Sequence, residues 1–129
     1  THGVDVVNGY RISRRDSFVR KYLGALYNRI LHALYPLPIR DIDCDFRLIR
    51  TSLLRKIKLK SKHGGICLEL VIKLKQKGAN FAQTPVHHYP RLYGKSKFFK
   101  LTNLIRTLNE NVRFFWDSLG PDFWKPKRD

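Results

Sequence analysis

Three carboxylates stand at alternate positions in one short segment of the chain. Asp41, Asp43 and Asp45 are separated by single residues, and Arg47 follows them. In an extended backbone, alternate side chains point to the same side, so the three carboxylates would share one face. Such a cluster is unfavourable unless it meets a divalent cation, basic groups or a proton. The segment is a candidate for catalysis or cation binding, with a solvated acidic turn as the alternative.

A second segment combines cations with hydroxyl groups just before a predicted helix. It reads His87-His88-Tyr89-Pro90-Arg91-Leu92-Tyr93-Gly94-Lys95-Ser96-Lys97. Arginine forks, lysine charges and the free amides of a helix N-terminus together are suited to phosphate and diphosphate groups. A solvated basic loop is the alternative. The two adjacent histidines would point in opposite directions in an extended segment, which argues against a shared metal ion.

The elements that position these segments follow from apolar periodicity and from residues that start or stop helices. The apolar run 4–8 predicts a buried strand that ends in a turn at Gly9, and a second strand is predicted over 80–86. Helices are predicted where apolar residues recur at helical spacing between capping residues, prolines and glycines. They cover about 17–35, 51–57, 66–77 and 98–116, with Gly78 ending the third. Strands alternating with helices indicate an α/β fold with too few strands for a complete sheet.

The charge of the chain predicts an anionic partner. Its 129 residues include 26 lysines and arginines against 10 acidic residues, a net charge of +16. Nucleic acid, an anionic lipid surface and a phosphorylated small molecule all fit this charge. No apolar run is long enough to span a bilayer. Cys44 and Cys67 lack the spacing of metal ligands, and we expect both to be reduced thiols.

The first and last long helices carry broad apolar stripes beside basic residues. The stripe of the first contains Val19, Tyr22, Leu23, Leu26, Ile30 and Leu34, and that of the last contains Leu101, Leu104, Ile105, Leu108, Val112 and Phe115. The basic residues near these stripes are Arg20, Lys21, Arg29, Arg106 and Arg113. A helix of this kind suits the headgroup layer of a membrane. Packing against another part of the protein explains the stripes equally well.

Four segments, in this order and at similar spacing, resemble family 2 glycosyltransferases. They are Gly9-Tyr10-Arg11, the run from Arg40 to Leu48, the helix with Glu69, and the run from Pro85 to Lys97. The closest subgroup is similar to the dolichol-phosphate and undecaprenyl-phosphate sugar transferases. The resemblance extends to about Trp116, and the loop from Arg91 to Lys97 is its most distinctive part. Asp45 departs from the family pattern, in which a glycine usually follows the cysteine position.

The resemblance implies a partial GT-A (Rossmann-like) fold that lacks its N-terminal nucleotide-binding half. Residues 1–117 would be the C-terminal part of the glycosyltransferase domain, and residues 118–129 a basic C-terminal tail. The Mg²⁺ or Mn²⁺ ion of the complete enzyme would be bound upstream, so no metal ligand is expected within this chain. The chain contains no initiating Met, and we interpret its opening as an internal cut.

The implied reaction is the inverting transfer of a sugar from a nucleotide sugar to a polyprenyl or dolichyl phosphate. Asp41 and Asp43 are the implied catalytic residues, with Asp41 orienting groups or stabilising positive charge at the anomeric carbon. Glu69 and Arg47 would form a structural ion pair. The fragment alone is expected to be inactive, because positioning is most of the catalysis. The phosphates would be held by Arg11, Arg91, Lys95, Ser96 and Lys97.

The implied location is the cytoplasmic face of a membrane, where an anionic surface would hold the protein peripherally. Exposed sheet edges would also allow self-association into a homo-oligomer. The alternative function is a basic nucleic-acid-binding module, which the positive charge and the interleaved aromatic residues permit. Tight, salt-sensitive binding to DNA or RNA would distinguish that alternative, although the sequence contains no recognised nucleic-acid motif.

Overall fold

The computed structural model describes residues 3–14, 18–95, 100–123 and 125, without the side chains of residues 13 and 14. Within this part of the chain it contains three strands and four helices. They are β1 (Val6–Arg14), α1 (Phe18–Leu34), β2 (Arg47–Ile49), α2 (Thr51–Leu54), α3 (Ile66–Gln76), β3 (Phe81–His88) and α4 (Leu101–Ser118). The predicted α/β class is therefore confirmed as a small mixed α/β fold.

The three strands form one mixed sheet in the order β2-β1-β3. β1 is antiparallel to β2, with Val6 opposite Ile49, and parallel to β3, with Val6 opposite Phe81. The register between β1 and β3 shifts between Arg11 and Ser13, which marks a β-bulge. Because β1 and β3 are parallel, their carboxyl ends lie at the same edge of the sheet.

β1 is longer than the sequence predicts, because Gly9 continues the strand. The Gly9 amide donates a hydrogen bond to the carbonyl of Phe46 over 2.7 Å. A Cβ added at Gly9 would lie 3.0 Å from Sγ of Cys44 and 3.1 Å from Cβ of Phe46. The predicted strand end at Gly9 is therefore wrong. Glycine is required here because the segment 44–46 approaches the strand closely, and not because the chain turns.

The helix boundaries agree with the predicted ones to within a few residues. α1 covers almost all of the predicted range 17–35, and α3 lies within the predicted range 66–77. Gly78 has φ of +76°, which favours glycine, and its amide donates to the Lys75 carbonyl over 2.9 Å. Gly78 therefore ends α3 as predicted. The start predicted for the last helix, at residue 98, lies outside the described residues.

The chain divides into two compact units. The first unit comprises Thr1–Arg50 and Asn80–Tyr93, and it contains the sheet and α1. Its buried side chains are Val6, Asn8, Leu31, Tyr35, Ile39, Ile42 and Cys44. The second unit comprises Thr51–Ala79 and Gly94–Asp129, with α2, α3 and α4. Its buried side chains are Leu68, Glu69, Val71, Ile72, Leu74, Thr107, Phe114 and Ser118.

Two further expectations can be compared with this fold. Cys44 is buried and Cys67 is half-buried, and within the described residues neither takes part in a disulfide. Across the described ranges, none of the helices combines the length and the apolarity that crossing a bilayer requires.

Candidate functional site at the carboxyl ends of the parallel strands

Asp41 and Arg11 form a bidentate ion pair on the sheet. Nε of Arg11 lies 2.6 Å from Oδ2 of Asp41, and Nη2 lies 2.7 Å from Oδ1. The two side chains are only 13% and 16% exposed. Two parallel N–H···O bonds fix the relative orientation of the guanidinium and the carboxylate. Asp41 is therefore held in one orientation by Arg11, which the sequence assigned to phosphate binding.

The ion pair also sets the charge state of Arg11. Burial alone would lower the pKa of its guanidinium, but the hydrogen bonds that it donates to Asp41 and the charges of Asp41 and Asp43 raise the pKa above its ordinary value. Arg11 is therefore always charged. Two of its three guanidinium nitrogens are used by Asp41, so Nη1 is the nitrogen that remains for a phosphate.

Helix α1 and strand β3 position the backbone around Asp41. Oδ1 of Asn28 accepts a hydrogen bond from the Ile42 amide over 3.3 Å, and Nε2 of His32 lies 2.7 Å from the Ile39 carbonyl oxygen. From β3, Oε1 of Gln83 accepts a hydrogen bond from the Arg40 amide over 2.8 Å. Side chains of two different elements thus satisfy polar groups of a segment that belongs to no helix or strand.

A buried asparagine, which sequence reasoning missed, joins this network. Asn8 is fully buried, and its Nδ2 donates to the carbonyl oxygens of Gly9 and Asp41 over 2.8 and 3.1 Å. Its Oδ1 accepts a hydrogen bond from Nε of Arg47, whose Nη2 donates to the Ile42 carbonyl over 3.1 Å. The sequence does contain a signal for this network: Asn8 is a polar residue at the end of a valine-rich run. A polar side chain that a strand buries needs hydrogen-bond partners, so such a residue indicates contacts with another segment.

The predicted ion pair between Glu69 and Arg47 is wrong. Glu69 lies on α3 and forms its ion pair with Lys73, one helical turn later. Its carboxylate also accepts hydrogen bonds from the amides of Lys60 and Ser61 over 2.8 and 2.7 Å. Lys73 is the partner because an i,i+4 neighbour on the same helix is always within reach.

Glu69 is ionised in spite of its burial. Burial raises the pKa of its carboxyl, but the hydrogen bonds from Lys73, from Ser61 and from the Lys60 amide outweigh that cost and lower the pKa to about 2. A buried carboxylate with this many donors stabilises the folded chain. We therefore assign Glu69 a structural role in the second unit.

The basic segment starts at the edge of the sheet where β3 ends. Arg11 on β1 is opposite Val86 on β3, and β3 ends at His88, three residues before Arg91. Arg91 is exposed, and its side chain has no hydrogen bond or ion pair with any residue in the described ranges. Arg11 therefore lies three residues before the end of β1, and Arg91 lies three residues after the end of β3.

The other predicted site residues have different placements. Asp43 is half-buried in the segment after Asp41. Lys95 is exposed and belongs to the second unit. Ser96 and Lys97 lie outside the described residues.

The described residues do not fit a divalent cation. Within the ranges that the structure describes, no three His, Cys, Asp or Glu side chains gather as ligands would. Asp41, the best placed carboxylate, already has both oxygens in contact with Arg11. A cation bound there would have to displace a buried, permanently charged arginine. We therefore derive no step through Mg²⁺ or Mn²⁺ from these residues.

The second unit contains a cavity of about 650 Å³ that the sequence did not predict. It lies between α3, α4 and the segment 60–62, and it is lined by basic, acidic and aromatic side chains. They include Lys60, Lys62, Lys73, Arg113, Glu69, Glu110, Asp117, Phe114 and Phe123. Neither Asp41 nor Arg91 lines this cavity, so it is not the site described above.

Comparison with known proteins does not assign this arrangement to a family. No protein-family model matches the chain, and no solved structure matches it.

Proposed function

We propose that the chain is the acceptor-side part of a family 2 glycosyltransferase with a GT-A fold. It would take part in moving a sugar from a nucleotide-sugar donor to a polyprenyl phosphate at a membrane surface. One observation carries the proposal: the largely buried, bidentate Arg11–Asp41 pair lies at β1, whose parallel neighbour β3 leads at its carboxyl end into the segment with Arg91. Open α/β sheets bind their ligands outside such carboxyl ends.

The proposed chemistry needs no general base in this chain. A phosphate monoester loses its second proton at a pH of about 6, so the acceptor oxygen is already ionised near neutrality. That oxygen attacks the anomeric carbon and forms the new bond to the sugar. The bond between the anomeric carbon and the nucleoside diphosphate breaks, and the diphosphate leaves with the electron pair. Attack from the opposite side inverts the configuration.

The roles of the residues follow from their contacts. Because Arg11 occupies both oxygens of Asp41, the carboxylate is suited to orienting groups and to stabilising positive charge at the anomeric carbon, rather than to accepting a proton. Arg91 and Lys95 are exposed, and neither has a partner within the described ranges. Arg91, which belongs to the same unit as the Arg11–Asp41 pair, is therefore available to neutralise phosphate charge as the diphosphate leaves.

Acceptor binding tests the proposal on the chain itself. We expect farnesyl phosphate, a short polyprenyl phosphate, to bind below its micelle concentration, and farnesol, which lacks the phosphate, not to bind. Arg91→Gln should weaken binding by about tenfold or more, because hydrogen bonds to charged groups contribute roughly 1.5–3 kcal/mol. Isothermal titration calorimetry measures both affinities. Arg55→Gln, which removes an exposed arginine outside the proposed site, is the matched control and should leave affinity unchanged.

Sugar transfer tests the catalytic part in a protein that joins this chain to a donor-binding half. Asp41→Asn should lower kcat by about 100-fold, the effect of losing one preorganised electrostatic group. The KM for the acceptor should change little, since Arg91 would still bind it. The absence of transfer to any polyprenyl phosphate would overturn the proposed acceptor class. Salt-sensitive binding to single-stranded DNA that farnesyl phosphate does not displace would instead support a nucleic-acid-binding module.

A further inference from the structure

Helix α4 turns its polar side into the second unit. Thr107 is buried, and its Oγ1 accepts a hydrogen bond from the Gly64 amide over 3.1 Å. The Glu110 carboxylate accepts hydrogen bonds from the amides of Lys62 and His63 over 2.9 and 3.1 Å. These contacts hold α4 against the segment that leads into α3, and they determine which side of α4 faces inward.

The cavity between α3 and α4 is therefore bordered by the polar sides of both helices. On each helix the polar lining residues recur at spacings of three and four, which places them on one side. They are Glu69, Lys73 and Gln76 on α3, and Glu110, Arg113 and Asp117 on α4. Helices that pack together normally bury apolar side chains between them. An opening of about 650 Å³ between charged sides has instead the size of a small-molecule site.

Two of the three carboxylates that line the cavity already have partners. Glu69 accepts hydrogen bonds from the amides of Lys60 and Ser61 and forms an ion pair with Lys73. Glu110 accepts the two amides named above. Neither carboxylate is therefore available to balance the charge of a further cation.

Three cations of the lining have no such partner. The side chains of Lys60, Lys62 and Arg113 form no hydrogen bond or ion pair with any residue in the described ranges. The third carboxylate, Asp117, also has no ion pair there. Three positive charges against one negative charge leave a surplus of two positive charges among the groups that the fold does not use. All four side chains are exposed, so a ligand can reach them, and an anion among them would relieve their mutual repulsion.

The lining also offers apolar surface. Phe114 and Phe123 pack edge to face, with ring centroids 5.3 Å apart. Nε2 of Gln76 donates a hydrogen bond to the Phe123 carbonyl, which ties the chain after α4 to α3. Phe123 is only half-buried, so part of its side chain is free to contact the carbon atoms of a ligand. Cations beside an aromatic wall suit an organic anion better than a bare inorganic ion.

We propose that this cavity binds a small organic phosphate monoester. Near neutrality such a phosphate carries a charge of about −1.5 to −2, which matches the surplus of two positive charges. The Arg113 guanidinium binds two phosphate oxygens, the two lysines neutralise the remaining charge, and the carbon part of the ligand lies against Phe123. Neither Asp41 nor Arg91 lines the cavity, so this second site goes beyond the proposed function and does not depend on it.

Phenyl phosphate and phenyl sulfate test the charge that the cavity requires. The two molecules have similar shapes, but at about pH 7.5 the phosphate carries close to two negative charges and the sulfate carries one. We expect phenyl phosphate to bind at least about fivefold more tightly than phenyl sulfate, because it balances both surplus charges. Inorganic phosphate should bind more weakly than phenyl phosphate, since it has no ring to contact Phe123. Isothermal titration calorimetry measures the three affinities.

Substitutions on α4 locate the binding. Arg113→Gln should weaken phenyl phosphate binding by about tenfold, because a charge-assisted pair of hydrogen bonds is lost. Arg106→Gln removes an exposed arginine of the same helix that does not line the cavity, and it should change the affinity by less than about twofold. Asp117→Asn should strengthen binding by about twofold or more, since it removes a like charge. Circular dichroism should show unchanged helix content, because all three side chains are exposed.

Nuclear magnetic resonance of the backbone amides separates this site from the proposed acceptor site. Phenyl phosphate should shift the amide signals of residues 60–62 and 113–117, and Arg91→Gln should leave its affinity unchanged. Loss of this binding while farnesyl phosphate still binds through Arg91 would overturn the second site alone. Loss of the Arg91-dependent binding while phenyl phosphate still occupies the cavity would overturn the proposed function alone.

Other results would also overturn the inference. They are the absence of phenyl phosphate binding at millimolar concentration, equal affinities for phenyl phosphate and phenyl sulfate, and an affinity that Arg113→Gln leaves intact. Amide shifts confined to residues 89–93 would place the phosphate at the first unit instead. Succinate that binds as tightly as phenyl phosphate would assign the cavity to dicarboxylates.

Discussion

Helices α3 and α4 belong to the same compact unit, yet they bury opposite kinds of side chain. α3 buries Leu68, Val71, Ile72 and Leu74, as the apolar stripe of a core helix does. α4 buries Thr107 and Ser118 beside a single aromatic residue, Phe114, and exposes most of its leucines. Both sequences have apolar residues at helical spacing. Spacing therefore identifies an apolar side of a helix but does not show whether protein covers it.

In spite of this difference, each of the two helices uses a glutamate to bind the same neighbouring segment. Glu69 of α3 accepts the amides of residues 60 and 61, and Glu110 of α4 accepts those of residues 62 and 63. These four amides belong to a segment outside any helix or strand, so they have no partner in regular secondary structure and the carboxylates supply the acceptors. The two carboxylates thus determine where the segment lies and, through it, which side of α4 faces inward.

The largest expected effect is on the buried side of α3. Leu68→Ala should lower the free energy of unfolding by about 2–5 kcal/mol, because it removes a fully buried side chain and leaves a cavity. Urea denaturation followed by circular dichroism measures this change. Leu101→Ala makes the same substitution where the side chain is 71% exposed, and it should cost less than about 0.5 kcal/mol. Equal costs at the two positions would contradict the comparison.

The next largest expected effect is on the pH dependence of the free energy of unfolding, and it comes from Glu69. Its folded pKa of about 2 lies below the ordinary value of 4.5, so its ionised form stabilises the folded state. This contribution is fully present above about pH 4.5 and is lost as the pH falls toward 2, and it amounts to about 3 kcal/mol at roughly 1.4 kcal/mol per pKa unit.

Urea denaturation at several pH values in this range measures the Glu69 effect. Glu69→Gln should flatten the loss of stability between these pH values. Glu110→Gln is the comparison, because the pKa of Glu110 is also lowered. This substitution should remove only part of the pH dependence of stability. An unchanged pH profile in Glu69→Gln would show that the buried carboxylate is not ionised as described.

A smaller effect is expected on the polar side of α4. Glu110→Ala should cost about 1–2 kcal/mol, since the amides of Lys62 and His63 lose their acceptor. Hydrogen exchange of those two amides should become faster, which a general loss of packing would not confine to this segment. Asn109→Ala, an exposed neighbour, is the control. Unchanged exchange at residues 62 and 63 would argue against the orientation of α4.

The smallest effect is expected on the apolar side of α4. Leu108→Ala should change the free energy of unfolding in water by less than about 0.5 kcal/mol, because the side chain is already 49% exposed. Urea denaturation followed by circular dichroism measures this change. A large loss of stability would mean that the stripe is covered by protein.

Local features of the fold could be predicted from the sequence, because their causes are local. The helical spacing over 66–77 and the glycine after it define α3, and Gly78 has the positive φ that ends a helix. The prolines after Leu34 end α1 for another local reason, since proline has no backbone N–H to continue the helix.

Long-range features could not be predicted. Arg11 and Asp41 are 30 residues apart, and only the folded chain brings them together. The sequence singled out both residues but gave them separate roles. Gly9 was interpreted as a turn because its real cause, the close approach of residues 44–46, lies on another segment. The exposure of the α4 stripe depends on contacts of the opposite side of that helix.

The bulge after Arg11 has a consequence for how chains related to this one can vary in length. It gives β1 one residue more than β3 over the same stretch of sheet, and the exposed Ile12 is that residue. At such a bulge two neighbouring residues of one strand face a single residue of the other, so the pairing on either side of it stays matched. A deletion of Ile12 alone would therefore remove the bulge and keep the pairing on both sides of it. A deletion of two residues would also take a paired residue and shift the register, so we expect natural length differences at this point to be of one residue.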